Sequence, residues 1–290
     1  MCIRDRTYRG HDVLYDPSHA GTTLVEILNI LEDFDLAGYG FGSFEHVHLV
    51  AEAIGLAYAD RFEHMGDPGF IRVPQRGLAS KKYAKELSSR ISFEGNLEMK
   101  PGNPWPYEDC TTALTVVDEE RNAVVINQTI VNDFGCGAVV PGTGIVLNNA
   151  MYGLNPEPGH ANSIDGRKRR IQNVCPTILL KDGGSFLAIG APGGRAIQTS
   201  IAQTIVNAID FNMDIQSAIE APRITREIGE MQLDSRFPRE TYERLLKIGH
   251  KIAYIDKALG NWAWPVGIVV DPEKNLLYGG VEWHFMVFES

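Results

Sequence analysis

Apolar residues recur at helical spacing through the first third of the chain and switch to strand-like alternation near residue 111. The stretch "GTTLVEILNILEDFD" sets Leu24, Ile27, Leu28 and Leu31 on one helical face. In "GSFEHVHLVAEAIGLAYADRF", Val47, Val50, Ala51, Ile54, Ala57 and Tyr58 form an apolar stripe. Ser43 stands where an N-cap belongs, with Glu45 in the first turn. "ASKKYAKELSSRI" predicts a third helix. "SFEGNLEMKPGNPWPYEDC" is polar, carries three prolines between residues 101 and 106, and predicts an exposed linker.

After the linker the period changes. "TALTVVD" and "AVVINQTI" predict two strands around a turn at Glu119–Asn122. "PTILLKDGGSFLAIGA" predicts a hairpin turning at Asp182-Gly183-Gly184. "AIQTSIAQTIVNAIDF", "DIQSAIEAP" and "RETYERLLKIGH" predict helices, and "KIAYID", "VGIVVD" and "LLYGGVEW" predict strands. Helices, then hairpins, then helices imply an α+β architecture of layered sheets with helices outside.

With 290 residues, 44% hydrophobic and 22% charged, the chain can bury a real core. A net charge of −10 disfavours non-specific binding to nucleic acid or an anionic membrane. No apolar run is long enough to span a bilayer. The opening "MCIRDRTYRGHDVLYD" lacks the apolar core of a signal peptide, and "MCIRDR" reads as a foreign leader on a chain truncated upstream. Compartment is therefore unknown from this sequence. Cys2, Cys110, Cys136 and Cys175 have no metal-ligand or redox spacing and read as buried or free thiols.

Common catalytic signatures are absent: no GxSxG, no HExxH, no GxxxxGK. His46 and His48 sit two apart in a predicted helix, where they do not share a face, so no metal is implied. The Asn127–Thr129 sequon lies inside a predicted strand and reads as a chance match. Two stretches hold candidate chemistry. Thr111 follows the linker and opens a strand. Freed by a cut after Cys110, it could act as nucleophile with its own α-amine, of pKa about 8, as base. On composition alone, an ordinary β-branched strand entrance is the favoured explanation. In "LAIGAPGGRAIQTS", Gly193 and Gly194 lie between a strand and a helix, where consecutive N–H groups could stabilise an oxyanion. A plain strand–helix turn is the alternative.

Taken in order, "ILNILEDFDLAGYGFGS", "YADRFEHMGDP", "TTALTVVDEERNAV", "FGCGAVVPGTGIVLNN", "PTILLKDG", "GAPGGR" and "EAPR" resemble the γ-glutamyltransferase family of N-terminal-nucleophile (Ntn) hydrolases, from about Tyr15 to about Tyr278. The resemblance implies a four-layer αββα sandwich. It implies a precursor that cuts itself between Cys110 and Thr111. Residues 1–110 would then be the tail of a large subunit and residues 111–290 the small subunit. It assigns Thr111 as nucleophile and α-amine base, Thr129 as the residue that orients it, and Gly193 and Gly194 as the oxyanion hole. No cofactor is implied, and the partners are a small amide or peptide substrate and the two subunits themselves. The family's compartments suggest a periplasmic or secreted enzyme.

The γ-glutamyl pocket departs from the family pattern. The positions that hold the substrate α-amino group are Val131, Ala150 and Gly153, and the carboxylate-binding serines align with Gln172 and Asn173. The family's clamping arginine aligns upstream of residue 1, and Arg195 is a candidate substitute. Ala113 replaces the usual histidine, the lid segment "NPEPGHANSIDGRKRR" is short, and "GGVEWHFMVFES" replaces the usual ending. The expected function is hydrolysis or transfer of a γ-glutamyl group. The alternatives are an acylase for another anionic acyl amide, oxamate- or glutaryl-type, and an unprocessed pseudoenzyme or interaction protein.

Overall fold

The computed structural model describes residues 6–17, 20–99, 110–227, 229–256 and 262–282. The proline cluster, most of "MCIRDR" and the terminal residues 283–290 lie outside the described residues, as do Cys2 and the Cys110 side chain. Two short strands, β1 (Thr7–Tyr8) and β2 (His11–Leu14), open the fold. Helices α1 (Ala20–Leu31), α2 (Leu36–Tyr39), α3 (Phe44–His64), α4 (Gln75–Leu78) and α5 (Lys81–Ser88) follow. Strands β3 (Cys110–Val117) and β4 (Ala123–Val131) form one hairpin, and β5 (Thr177–Lys181) and β6 (Gly184–Gly190) another. The rest is α6 (Ile197–Ile209), α7 (Ile215–Glu220), β7 (Ile224–Thr225), β8 (Met231–Asp234), α8 (Arg239–Lys247), β9 (Ile252–Ile255), β10 (Val266–Asp271) and β11 (Leu276–Val281).

Six strands make an antiparallel sheet in the order β1-β2-β5-β6-β10-β11. Residues on both sides of position 110 thus share one sheet and one core. The helix α1 departs from the expected one-faced pattern, because all of its residues are buried. It lies against α3, α5 and α6, so even Glu26 and Asn29 are enclosed. Ser43 caps α3 as expected, its Oγ accepting from the His46 N–H at 3.1 Å. Strands β1, β2, β7 and β8 were not expected. The first pair is short and polar, and the second carries too few residues for a readable period. Strands β8 and β9 run parallel, and α8 supplies the crossover that such a pair requires.

The β3–β4 hairpin stacks on the six-stranded sheet. Its residues alternate strictly: Ala113, Thr115, Val125 and Asn127 turn inward, while Leu114, Val116, Val124 and Ile126 are exposed. β6 divides its side chains the same way. Leu187 and Ile189 enter the helical core, and a Cβ on Gly190 would meet Asn127, Val125 and Ala113 of the hairpin. The described residues therefore build helices, a six-stranded sheet, a two-stranded hairpin stacked on it and a separate three-stranded sheet in the order β7-β8-β9, which is an α+β fold. No helix among them is long and apolar enough to cross a membrane.

Candidate active site

Thr111 lies directly across from Thr129 in the antiparallel register of β3 and β4. Ala113 pairs with Asn127 in the same way, and both contact the Gly190 position. Alternation puts Thr111 and Thr129 on that same inward face, two residues further along, where β6 gives way to residues 191–194. Asn127 fastens the layers there, its Nδ2 donating to the Ala191 carbonyl at 2.8 Å. A register shift falls between Cys110 and Thr111. Such bulges re-aim a side chain at the end of a ladder. Thr129 Oγ1 accepts from the Val131 N–H at 2.9 Å, so its hydroxyl proton points elsewhere. Val131 itself holds a φ of 78°, a costly conformation for a β-branched residue.

The glycine turn is fixed from two sides. Gly193 has φ 126°, and a Cβ there would stand 2.4 Å from the Ala263 Cα, so nothing larger fits. The Trp264 N–H donates to the Pro192 carbonyl at 2.9 Å. From the helical layer, the fully buried Tyr58 hydroxyl donates to the Arg195 carbonyl and accepts from Gln198 Nε2 at 2.5 Å. Burial pushes the Tyr58 phenol far above its usual range, so it stays a neutral donor. The turn is thus held rigid before any substrate arrives, which is what an oxyanion site needs.

Beside the turn lies a pocket lined by Arg61, Asn173, Arg170 and Arg195, among others. Arg61, buried on α3, donates to the Gln172 carbonyl at 2.7 Å and Asn173 Oδ1 at 2.9 Å. Asn173 and Arg195 thus meet in one place. Gln172 contributes its main-chain carbonyl to Arg61, and its side chain is not part of the pocket lining. Arg195, taken from sequence as a stand-in anion contact, is ion-paired with Glu227 at 2.5 Å and lies over the Phe62 ring. Its charge is therefore already matched. Sequence reasoning missed Tyr58, Arg61 and Arg170. Tyr58 and Arg61 are three apart in "YADR", the spacing that sends two helical side chains the same way.

A second polar group gathers elsewhere. His48, Glu52 and His250 offer ligand-type atoms within 4.8 Å of one another. His48 Nε2 faces the Ser92 carbonyl at 3.1 Å and so carries a proton. Its Nδ1 must then accept from His250 Nε2, 2.8 Å away. Glu52 takes Arg226 Nη1 at 2.6 Å on one oxygen and the Leu97 N–H at 3.0 Å on the other. The facing atoms thus bond to protein groups, and a divalent ion would sit beside the Arg226 charge, an unfavourable neighbour. His48 lies 13 residues from Arg61 on α3, about 20 Å along the axis, so this group is separate from the glycine turn. The sequence signal for it is the i,i+4 pair His48/Glu52, which shares one face of α3 as the i,i+2 pair His46/His48 does not.

A family model described as gamma-glutamyltranspeptidase matches residues 5–282, wider at both ends than the motifs alone. The glutathione hydrolase proenzyme of Escherichia coli (strain K12) is 38% identical, over 94% of this chain and 49% of that protein. The acylase ACY 1 proenzyme of Pseudomonas sp. (strain SE83) is 39% identical, over 88% and 46%. The solved structure of a cephalosporin acylase from Bacillus halodurans matches with a TM-score of 0.85 at 30% identity, over 97% of this chain and 51% of that one. The chain spans about half the length of the curated relatives it matches. An ordered set of motifs, a matching fold and these similarities agree, and the chain belongs to the gamma-glutamyltranspeptidase family.

Proposed function

We propose that this chain carries the catalytic centre of a self-processing amide hydrolase and acyl transferase, with Thr111 as nucleophile. The observation that supports it most is the pairing of Thr111 with Thr129 on the hairpin face that runs onto the Gly193–Gly194 turn. In the precursor, Thr111 Oγ attacks the Cys110 carbonyl carbon. The Cys110–Thr111 amide becomes an ester, and water hydrolyses it to a Cys110 carboxylate and a free Thr111 amine. Residues 1–110, as the tail of the large subunit, and residues 111–290, as the small subunit, are then separate chains. They stay joined by the shared sheet.

In turnover the new amine takes the Thr111 hydroxyl proton as Oγ bonds to the substrate carbonyl carbon. Thr129 orients that oxygen, and the N–H groups of Gly193 and Gly194 hold the negative charge on the tetrahedral intermediate. The amide C–N bond breaks and the proton passes to the leaving amine. Water, or an acceptor amine, then releases the acyl group from Thr111. No step needs a metal or an organic cofactor.

The names of the relatives point to two acyl donors: the γ-glutamyl amide of glutathione, and the acyl amide of an acylase substrate. Both belong to amide hydrolysis through an acyl-enzyme. A chromogenic γ-glutamyl anilide and a glutaryl anilide, assayed with the unaltered chain and with Thr111→Ala, test the proposal. Thr111→Ala is expected to abolish both turnover and self-cutting. Turnover that survives in Thr111→Ala would sink it.

A further inference from the structure

Residues 92–99, which precede the linker to Thr111, are laid along α3. The Ser92 carbonyl accepts from His48 Nε2 at 3.1 Å. The Leu97 N–H donates to Glu52 Oε2 at 3.0 Å. Met99 crosses Gly55, its Cε 2.8 Å from where a Cβ would stand. The tract therefore climbs α3 from residue 48 to residue 55. It stops about one turn short of Tyr58, whose hydroxyl holds the Arg195 carbonyl beside the glycine turn. Its course runs toward the candidate site, and Met99 stands twelve residues before Thr111.

Leu97 belongs to no helix or strand, yet both of its main-chain polar groups are bonded. Glu52 takes the N–H, and Arg226 Nη2 donates to the carbonyl at 3.1 Å. Glu52 and Arg226 also pair with each other at 2.6 Å, with side chains only 1% and 3% exposed. A buried ion pair adds little stability over well-packed apolar residues, because each charge loses its water. What an apolar pair could not do is satisfy both polar groups of an irregular backbone. Arg226 is linked to the site by sequence as well. Its neighbour Glu227 pairs with Arg195, which directly follows Gly194. Two consecutive residues thus hold the tract and the glycine turn.

We propose that the Glu52–Arg226 pair is a positioning clamp for self-cutting: it fixes the main chain at Leu97 so that Thr111 Oγ can reach the Cys110 carbonyl carbon. Both residues act through Leu97. An intramolecular attack depends steeply on geometry, so a tract released at Leu97 slows the cut. Turnover by the cut enzyme makes no use of the tract and is spared. This role rests on the self-processing proposed above.

Glu52→Leu combined with Arg226→Met tests it. The change replaces the pair by apolar side chains and leaves the bonds at Ser92 and at the Asn96 N–H in place. Intact mass times the cut, and kcat and KM on the γ-glutamyl and glutaryl anilides are measured once each chain has cut to completion. The cut is expected to slow at least fivefold, with kcat, KM and the urea midpoint unchanged. Amide exchange in a Thr111→Ala background is expected to show Leu97 losing its protection. Arg226→Lys, which keeps the charge without the fork, is expected to slow the cut as well. Equal cutting rates overturn the proposal, as does Leu97 protection that survives the double change. A slower cut with an equal fall in kcat also overturns it, since that marks a disturbed fold. An unaltered chain that never cuts removes the self-processing reading, and the clamp falls with it; cutting at equal rates removes the clamp alone.

Discussion

A methyl group at Gly193 would stand 2.4 Å from the Ala263 Cα, at a φ of 126° that suits only glycine. Gly193→Ala should therefore lose at least about 2 kcal/mol of stability, read as a fall in urea midpoint. Its turnover should drop by about 10²–10³ through displacement of an oxyanion donor. Tyr58→Phe makes a subtler test. It leaves the Arg195 carbonyl and Gln198 Nε2 without their phenol partner, a cost of about 1–3 kcal/mol. On the proposed oxyanion role, the turn it steadies would act on developing charge, so kcat should fall while KM stays nearly constant. An unchanged kcat would show that the turn holds itself. The placement of Thr111 at a strand entrance and of the glycine pair in a strand–helix turn was legible in the sequence because both leave local marks. Tyr58, Arg61 and Arg170 were not, because their roles arise from contacts 137, 111 and 17 positions apart.

At the scale of elements, α3 carries two jobs on one rod. Its C-terminal half delivers Tyr58 and Arg61 to the candidate site, and its N-terminal half binds His250, Ser92 and Leu97 through His48 and Glu52. Burial holds the His48 imidazole at a pKa of about 4 and that of His250 at about 3; the Arg226 charge adds to both shifts and His48 to that of His250, while the Ser92 carbonyl and then Glu45 oppose the shift at His48. Burial alone lowers His46 to about 4. In the unfolded chain all three protonate near pH 6.5. Stability is thus full above pH 6.5 and falls as the pH drops from 6.5 toward 4, by up to roughly 1.4 kcal/mol per unit for each histidine. Urea midpoints across that window should show the slope, and His48→Gln with His250→Gln should flatten it. A midpoint independent of pH in the unaltered chain would contradict the buried neutral pair. Most helices and the two hairpins were legible, since the Ser43 cap, the Asp182-Gly183 turn and the alternation about residues 111–131 are local signals. β1 and β2 were not, because "TYRGHDVL" gains its place only by pairing with β5.

For the whole molecule, one sheet draws strands from both sides of residue 110, with β1 and β2 before it and β5, β6, β10 and β11 after. A cut there would leave two pieces bound by backbone ladders and a common core. The hairpin that carries Thr111 mixes polar and apolar residues on its inner face, and its outer side chains Leu114, Val116, Val124 and Ile126 are about half exposed. Leu114 lies across from Ile126 and Val116 across from Val124, so the four form one contiguous patch and are not scattered exposed residues. The fold class was legible because the order of periods along the chain dictates layers; the sharing of the sheet across residue 110 was not, because a linker reads as a boundary. Intact-mass analysis with N-terminal sequencing, on the unaltered chain and on Thr111→Ala after prolonged incubation, tests the central claim most directly. The account predicts two fragments from the unaltered chain, the second beginning at Thr111, and a single uncut species from Thr111→Ala. An unaltered chain that stays whole, or a cut at Cys110–Thr111 that persists without the Thr111 hydroxyl, would contradict it.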